Sequence, residues 1–506
     1  MLKPMKKSFL ILLSVAFLTA LPSYADENAE QSLQLWQDSQ QKINQQRKET
    51  ALFTASNQQE NEITLDGQSF SVANTEADVG QALYIAVNQQ LWHYAEKFLQ
   101  QYRQFPQHKK ELVWFAQGAL ARQRGELAKA ETEYQKLLQS EPDFLRGQLD
   151  LARILFENKK NKEASKLFSQ LVQMPLPNEV STLLKEYLQV LKEREQWHGG
   201  LRVGYRYQKN INQSSEHYRC LLFSGTTCIV ERAAPKAINA KGWGYELSLN
   251  KKFNLTGHHG INIYFNSEGQ YYPTARQYND TTFKTYIGYA FQDAKKELVI
   301  APLFKYEWYA NKRYYHAFGV HLEWMHSLLK KHFLNVQFEQ KHLFYNAGYS
   351  AIDKADISSL YASWYYTPTN NTTLFTGFDG IYRKVKEKTN SYKMLGARFG
   401  LYHQFNEKLD LTLLASIKST RYLQHNAILE TKRKDNHFIY QAILSFPNVF
   451  YKGITPNVII KRTHNHSNVD WLYSYKQTEL QFNVSFVFQA LLSRIEKAAL
   501  KRDFSA

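Results

Sequence analysis

The sequence predicts an α-helical repeat domain followed by a 14-stranded antiparallel transmembrane β-barrel. Throughout residues 200–488, short stretches alternate apolar and polar residues, whereas between 82 and 197 the apolar residues follow helical spacing. Aromatic residues make up 14% of the 506-residue chain, as in the girdles of barrels at the membrane surface. Beyond the N-terminus no stretch approaches the roughly twenty apolar residues of a spanning helix, so strands are the expected membrane-crossing elements.

The first 25 residues have the three parts of a secretory signal peptide. Lys3, Lys6 and Lys7 precede an apolar run over 9–18, and the small residues Ser23 and Ala25 occupy both subsites before the predicted cleavage site after Ala25. A single membrane anchor is the competing interpretation, but the run is shorter than a spanning helix requires. Loss of the three lysines lowers the formal net charge from +17 to +14, so the mature chain stays basic. Neither cysteine lies near the cleavage site, so the chain is not expected to be a lipoprotein itself.

A linker or N-terminal helix is predicted over residues 26–75, since 28–59 are rich in Gln and Asn. Residues 76–196 are predicted to form tetratricopeptide-like repeats, because small, aromatic and proline residues recur there with a 34-residue period. The predicted packing residues are Gly118, Gly125, Ala130, Tyr134, Leu137 and Pro142, followed 34 residues later by Ala152, Ala164, Phe168 and Leu171. An accidental array of helical hairpins is the alternative. Repeats of this type bind partners on a concave surface, so periplasmic protein binding is the expected role.

The barrel is predicted over residues 197–488, with an even number of strands as in bacterial single-chain barrels. The predicted strands are 200–209, 242–255, 260–271, 282–291, 298–309, 315–325, 333–343, 359–366, 373–382, 395–405, 409–419, 437–446, 456–463 and 475–488. Connections after even-numbered strands are mostly short, and those after odd-numbered strands are mostly longer. Because outer-membrane barrels have short periplasmic turns, we expect a barrel in the outer membrane and a repeat domain in the periplasm.

The two faces of these strands differ in polarity. One face carries large apolar residues such as Phe318, Val320, Leu322 and Trp324, which are expected to face lipid. The polar face is expected to line the lumen, and it comprises Arg202, Arg206, Asn262, Asn266, Glu268, Lys305, Glu307, His321, Glu323, Asn335, Gln337, Glu339, Lys341, Gln477, Glu479, Gln481 and Asn483. A salt-bridged interior explains these residues more simply than a ligand site does. A soluble β-sandwich is the alternative fold, although its faces would carry fewer large residues in succession.

The two cysteines, Cys220 and Cys228, lie in a hydrophilic insertion over 213–240 that follows the first strand. In an exported chain this spacing predicts a disulfide that closes a small loop, with two free thiols as the alternative. The adjacent pair His258 and His259 has no further metal ligands nearby in sequence. The sequence contains no recognisable catalytic carboxylate pair, Ser-His-Asp order or phosphate-binding glycine loop. We therefore expect no enzyme activity, no metal or organic cofactor and no nucleic acid partner.

The order of these parts and several short motifs resemble the surface lipoprotein assembly modulator (Slam) family of Gram-negative outer membranes. The motifs are DVGQALY over 78–84, FAQG over 115–118, PDF over 142–144, LDLARILFE over 149–157 and NIN over 210–212. The resemblance covers residues 64–488. It implies that the barrel moves client proteins across the outer membrane, either surface lipoproteins or soluble haem- and metal-acquisition proteins. It further implies that the repeat domain engages the client or its periplasmic chaperone, with the barrel assembly machinery and lipid as other partners.

Two other functions stay open at this point: export of an acidic polysaccharide, which a basic lumen would suit, and passive diffusion through a porin. The chain also departs from the usual barrel ending, since a C-terminal extension over 489–506 follows Phe488. Its apolar residues Leu491, Leu492, Ile495 and Ala499 have amphipathic helical spacing. This extension leaves the terminal signal for barrel assembly inside the chain.

Overall fold

The computed structural model describes residues 34–45, 72–329, 331–346, 353–427, 429–449 and 453–487. The predicted signal peptide (1–25), most of the predicted linker (26–75), Phe488 and the C-terminal extension (489–506) lie outside these residues. Residues 34–45 are helical and belong to one compact unit of the chain, whereas residues 72–487 belong to a second unit. The second unit carries a helical domain followed by a barrel.

Seven helices form the first part of this unit. They are α1 (Glu76–Asn88), α2 (Trp92–Tyr102), α3 (Lys110–Gln123), α4 (Leu127–Ser140), α5 (Leu145–Glu157), α6 (Asn161–Leu171) and α7 (Asn178–Arg194). Helix α1 begins at an N-cap, where the Thr75 hydroxyl accepts a hydrogen bond from the Asp78 amide at 3.2 Å. The apolar stripes of the amphipathic helices meet in one continuous core that includes Leu83, Phe156 and Tyr187.

Fourteen strands of the described chain form a closed antiparallel barrel, and two more form a separate hairpin. The barrel strands are β1 (His198–Lys209), β4 (Ala240–Thr256), β5 (His259–Tyr271), β6 (Asp280–Gln292), β7 (Lys296–Tyr309), β8 (Lys312–Leu329), β9 (His332–Tyr345), β10 (Lys354–Thr369), β11 (Thr372–Val385), β12 (Tyr392–Asn406), β13 (Leu409–Tyr422), β14 (Lys434–Ser445), β15 (Ile454–Ser467) and β16 (Tyr475–Val487). The hairpin strands are β2 (Tyr218–Ser224) and β3 (Thr227–Ala233). Strands β1 and β16 close the barrel, in register from Gly200 opposite Val487 to Lys209 opposite Thr478. The predicted fold class is confirmed, and the β-sandwich alternative is wrong.

Several strands extend further than predicted. Strand β10 spans Lys354–Thr369 rather than 359–366, because its polar ends still pair with both neighbours. Strand β11 also continues to Val385 and β12 begins at Tyr392, so residues 386–391 alone connect them. Ala310 and Asn311, both at positive φ, join β7 and β8. The hydrophilic insertion over 213–240 contains the hairpin β2–β3. Its strands were not predicted, because two seven-residue segments show no sustained alternation.

The two faces of the barrel wall differ in exposure as the alternation predicts. On β8, Phe318, Val320 and Trp324 are 53%, 44% and 36% exposed, whereas His321 and Glu323 between them are 2% and 4% exposed. Large apolar side chains therefore cover the outside, where lipid would bury them, and polar side chains cover the inside. Among the residues that the structure describes, no helix is both long and apolar enough to cross a membrane.

Candidate functional site

Close packing of the repeats depends on the contact between Gly118 on α3 and Tyr134 on α4. A Cβ atom at Gly118 would lie 2.6 Å from two carbons of the Tyr134 ring, so only glycine fits there without a shift. The buried Tyr134 hydroxyl donates to Asp150 Oδ2 on α5 at 3.0 Å. Burial, reinforced by Asp150, raises the pKa of Tyr134 well above its usual value. One aromatic side chain thus links three consecutive helices.

The other predicted packing residues lie in the same core or in the turns. Ala130, Ala164 and Phe168 are buried between helices. Gly125 lies in the turn between α3 and α4 at φ +74°, and Pro142 lies in the turn between α4 and α5. These residues shape the packing and the turns of the repeats.

Ion pairs join neighbouring repeats. Arg122 on α3 lies 2.7 Å from Glu157 on α5, and Arg153 lies 3.2 Å from the same carboxylate. Burial alone would lower the pKa of the Arg122 guanidinium, but the charge of Glu157 and its hydrogen bond outweigh burial and raise the pKa above its usual value. Arg146 lies 3.1 Å from Asp150 within α5, so this pair stabilises the helix itself and not the contact between repeats. Because several of these groups are largely buried, they restrict movement between repeats more than exposed pairs would.

The first repeat exposes four large apolar side chains, which we name the first-repeat apolar set. Tyr84, Ile85, Leu91 and Tyr94 are between 39% and 52% exposed on α1, on α2 and in the turn between them. Exposed apolar side chains that occur near one another on a protein surface are typical of protein-binding sites. The sequence motif over 78–84 includes Tyr84, but periodicity alone did not distinguish it from core residues.

The repeat domain joins the barrel through a very short linker. Arg194, the last residue of α7, is buried and donates to the Phe156 carbonyl at 3.0 Å and to Asn161 Oδ1 at 2.6 Å. Its guanidinium carbon lies 3.9 Å from the centroid of the Phe156 ring. Strand β1 begins at His198, so only residues 195–197 separate the anchored helix from the barrel. Sequence analysis missed Arg194, although its position on the apolar stripe of α7 marked it as unusual.

A second connection, which we name the rim contact, joins α6 to the short turn between β4 and β5. Glu163 Oε1 accepts a hydrogen bond from the Gly257 amide at 2.7 Å. The Lys162 amide donates to Asn254 Oδ1 at 3.0 Å, and its ammonium donates to the Leu255 carbonyl at 3.2 Å. Gly257 has φ +53°, a conformation that favours glycine. The repeat domain is therefore held on the rim with short turns, as the orientation argument predicts.

The electrostatics of the rim contact favour an ionised Glu163. Burial alone would raise the pKa of this carboxyl, but hydrogen bonds from the Gly257 amide and the Thr256 hydroxyl outweigh burial and lower it below its usual value. No local sequence signal identifies Glu163, since its partners lie more than ninety residues away.

The adjacent histidines also lie at this rim. His258 Nδ1 lies 3.0 Å from the Gln292 carbonyl oxygen, and its Nε2 lies 3.5 Å from the side-chain Nδ2 of Asn158. His259 Nδ1 lies 2.6 Å from the Tyr289 hydroxyl. The part of the chain that the structure describes contains no group of three or more His, Cys, Asp or Glu residues positioned to hold a metal ion.

Charged side chains on the inner face of the barrel form ion pairs, some between neighbouring strands and others within a strand or between strands further apart. Glu339 is buried, forms an ion pair with Lys284 and lies 3.4 Å from Lys341 Nζ. Asp379 and Arg398 form a second buried pair at 2.6 Å. The charges of Asp379 and Arg398 neutralise each other, whereas two lysines face the single Glu339 carboxylate, so the wall carries excess positive charge at that point.

One part of the lumen wall is apolar, a feature that the sequence analysis did not identify. Tyr264 and Tyr286 stack with ring centroids 4.7 Å apart, and Tyr286 stacks on His321 at 4.3 Å. Val299 and Leu303 on β7 are buried in the same cluster. Both faces of β7 carry apolar residues here, so polarity alone does not distinguish Val299 and Leu303 from residues that face lipid. The inner wall thus combines paired charges with an aromatic and aliphatic patch.

Comparisons with known proteins match both halves of the chain. A family described as surface lipoprotein assembly modifier matches residues 197–488, and one described as the N-terminal tetratricopeptide repeats of surface lipoprotein assembly modifier matches residues 65–168. The hemophilin secretion modulator of Acinetobacter baumannii is 33% identical over 95% of this chain and 98% of its own length. Surface lipoprotein assembly modifier 1 of Neisseria meningitidis serogroup B is 24% identical over 84% of this chain and 86% of its own. The solved outer membrane channel DcaP of Acinetobacter baumannii covers 58% of this chain at 9% identity and a TM-score of 0.32, a likeness too distant to carry a functional conclusion.

Proposed function

This chain belongs to the surface lipoprotein assembly modifier family, and we propose that it moves client proteins from the periplasm through the outer membrane to the cell surface or the medium. The supporting observation is the attachment of the repeat domain to the barrel at two points, the linker over 195–197 and the rim contact. Two attachments hold a protein-binding domain in a fixed place at the barrel mouth. The clients would be surface lipoproteins or secreted proteins of the hemophilin type, as the names of the relatives indicate.

Capture by the repeats is the first step of the proposed mechanism. The first-repeat apolar set offers Tyr84 and Tyr94 to an apolar segment of the client or of a chaperone that delivers it. A client held there has a high effective concentration at the barrel mouth, so weak contacts along the path are sufficient. No chemical step is needed, and the role is that of a transporter and not of an enzyme.

Passage along the lumen is the second step. A polypeptide presents both charged and apolar side chains, and the inner wall carries paired charges around Glu339 and an apolar patch around Tyr286. Both groups are buried in this structure, so a client contacts them only once the inner wall has opened. Weak binding at several points permits both entry and exit. Buried ion pairs across the wall do not favour a passive porin, whose lumen would keep its charges hydrated.

The proposal is tested in cells that lack the chain but express a candidate client, either a surface lipoprotein or a hemophilin-like protein. The client is expected to become accessible to protease on intact cells only when the full-length chain is present. A double substitution, Tyr84→Ser with Tyr94→Ser, should reduce that accessibility several-fold, since aromatic anchors dominate protein interfaces. The matched control Lys166→Ala, on an exposed face of α6, should leave it unchanged.

The opposite results identify the other functions. A client that stays protected while a polysaccharide reaches the medium would favour polymer export. A client that stays protected while small solutes cross the membrane freely would favour a porin.

A further inference from the structure

The hairpin β2–β3 stands apart from the rest of the described chain. Its two strands pair with each other and with no other described strand. A disulfide between Cys220 and Cys228 joins them. An isolated two-stranded hairpin is only marginally stable in water, so this covalent link adds stability that strand pairing alone does not supply.

The base of the hairpin is fixed to the rim of the barrel opposite the rim contact. The Asn210 side chain exchanges two hydrogen bonds of 2.9 Å with the backbone of Ser214. The Ser215 hydroxyl donates to the Trp471 carbonyl at 2.5 Å, in the loop between β15 and β16. The hairpin is thus held at the rim where β1 and β16 close the barrel. Since the short turns and repeats occupy the periplasmic rim, this rim faces outward.

Large apolar side chains on the hairpin face solvent. Tyr218, Phe223 and Ile229 are 70%, 62% and 60% exposed. The outer edge of β3 also presents backbone N–H and C=O groups that pair with no other described strand. Unpaired edges of this kind accept an added strand, and neighbouring apolar side chains give the added strand its affinity.

We propose that the hairpin binds an extended segment of the client as it leaves the barrel, by adding that segment as a strand to the outer edge of β3 and burying Phe223 and Ile229. The inference depends on the proposed function. Pairing through the backbone tolerates varied client sequences, because the hydrogen-bonding groups are the same in every polypeptide. A segment held outside the membrane cannot slide back, so the hairpin favours outward movement where no nucleotide is available.

The test uses the full-length chain in the cells described above, with a photoreactive benzoylphenylalanine at position 223. Illumination during export is expected to yield a covalent adduct with the client. The same group at Lys388, exposed in the loop between β11 and β12, is the matched control and should yield none. The double substitution Phe223→Ser with Ile229→Ser should lower client accessibility about fivefold or more while the amount of folded barrel stays constant.

Other adducts would overturn the inference. A product with a second copy of the chain or with lipopolysaccharide, together with unchanged client accessibility in the double variant, would assign the hairpin to dimer formation or to the membrane surface. Equal adducts from positions 223 and 388 would show non-specific proximity. If the unsubstituted chain fails to expose any client, the proposed function itself fails; if it succeeds and the double variant succeeds equally, only the role of the hairpin fails.

Discussion

Substitution of Glu163 by alanine tests whether the repeat domain is held on the barrel rim. The substitution removes the acceptor of the Gly257 amide, a bond of 2.7 Å to an ionised carboxylate. Hydrogen bonds to charged groups contribute about 1.5–3 kcal/mol, which corresponds to roughly a 10- to 150-fold change in an equilibrium. We therefore expect the Gly257 amide to exchange with deuterium at least about tenfold faster in the variant than in the wild type.

Hydrogen–deuterium exchange of the detergent-solubilised full-length protein measures this effect. Lys166→Ala on the same helix should leave exchange at Gly257 unchanged. The Lys408 amide, which donates to Asn406 in a different short turn, should exchange equally in all variants. If the exchange rate at Gly257 in the Glu163→Ala variant stays within about twofold of the wild-type rate, the rim contact is refuted.

The rim contact should also depend on pH. Because the pKa of Glu163 is lower in the folded protein than its usual value of 4.5, its stabilisation is present above pH 4.5 and is lost as the pH falls through the folded value. Glu163→Gln keeps an acceptor but does not titrate. Exchange at Gly257 should therefore accelerate at acid pH in the wild type and not in the glutamine variant, after correction for intrinsic exchange.

Three further substitutions test other parts of the structure. Gly118→Val should destabilise the repeat domain by about 1–3 kcal/mol by overpacking against Tyr134, seen as a lower melting temperature by circular dichroism; an unchanged value would contradict the packing. Phe318→Arg, near the middle of β8, should cost the barrel about 2–4 kcal/mol if the residue faces lipid, whereas Phe318→Leu should be tolerated; equal urea resistance of the two would place the residue outside the membrane. Replacement of Cys220 and Cys228 by serine should lower the stability of the folded hairpin by about 2.5 kcal/mol and make it sensitive to protease on intact cells. Equal protease resistance without the disulfide would refute its structural role.

The barrel was predictable because the alternation of polar and apolar residues within each strand indicates which face contacts lipid and which faces the lumen. On β8 every second residue is apolar, and that pattern alone fixes which side chains face outward. Strand ends were less predictable, since β10 continues through polar residues whose pairing depends on the neighbouring strands. The hairpin β2–β3 was not predicted, because its strands are short and pair with no other described strand.

The rim contact could not be predicted, because Glu163 and Gly257 are distant in sequence and neither occupies a distinctive pattern. Gly257 looked like an ordinary turn residue, and Glu163 looked like a solvated helix residue. The apolar lumen patch around Tyr286 was hidden for a different reason: alternation places a residue on a face but does not show that Val299 and Leu303 meet aromatic rings from other strands.

Passage of the client through the barrel lumen is tested most directly by comparing two tyrosines on one strand. Tyr286 on β6 faces the lumen patch, whereas Tyr289 on the same strand faces outward. Benzoylphenylalanine at either position replaces one large aromatic group by another, and the client is co-expressed during illumination. We expect an adduct with the client from position 286 and none from position 289. Continued surface exposure of the client with no adduct from position 286, or with adducts from position 289 alone, would contradict passage through the lumen.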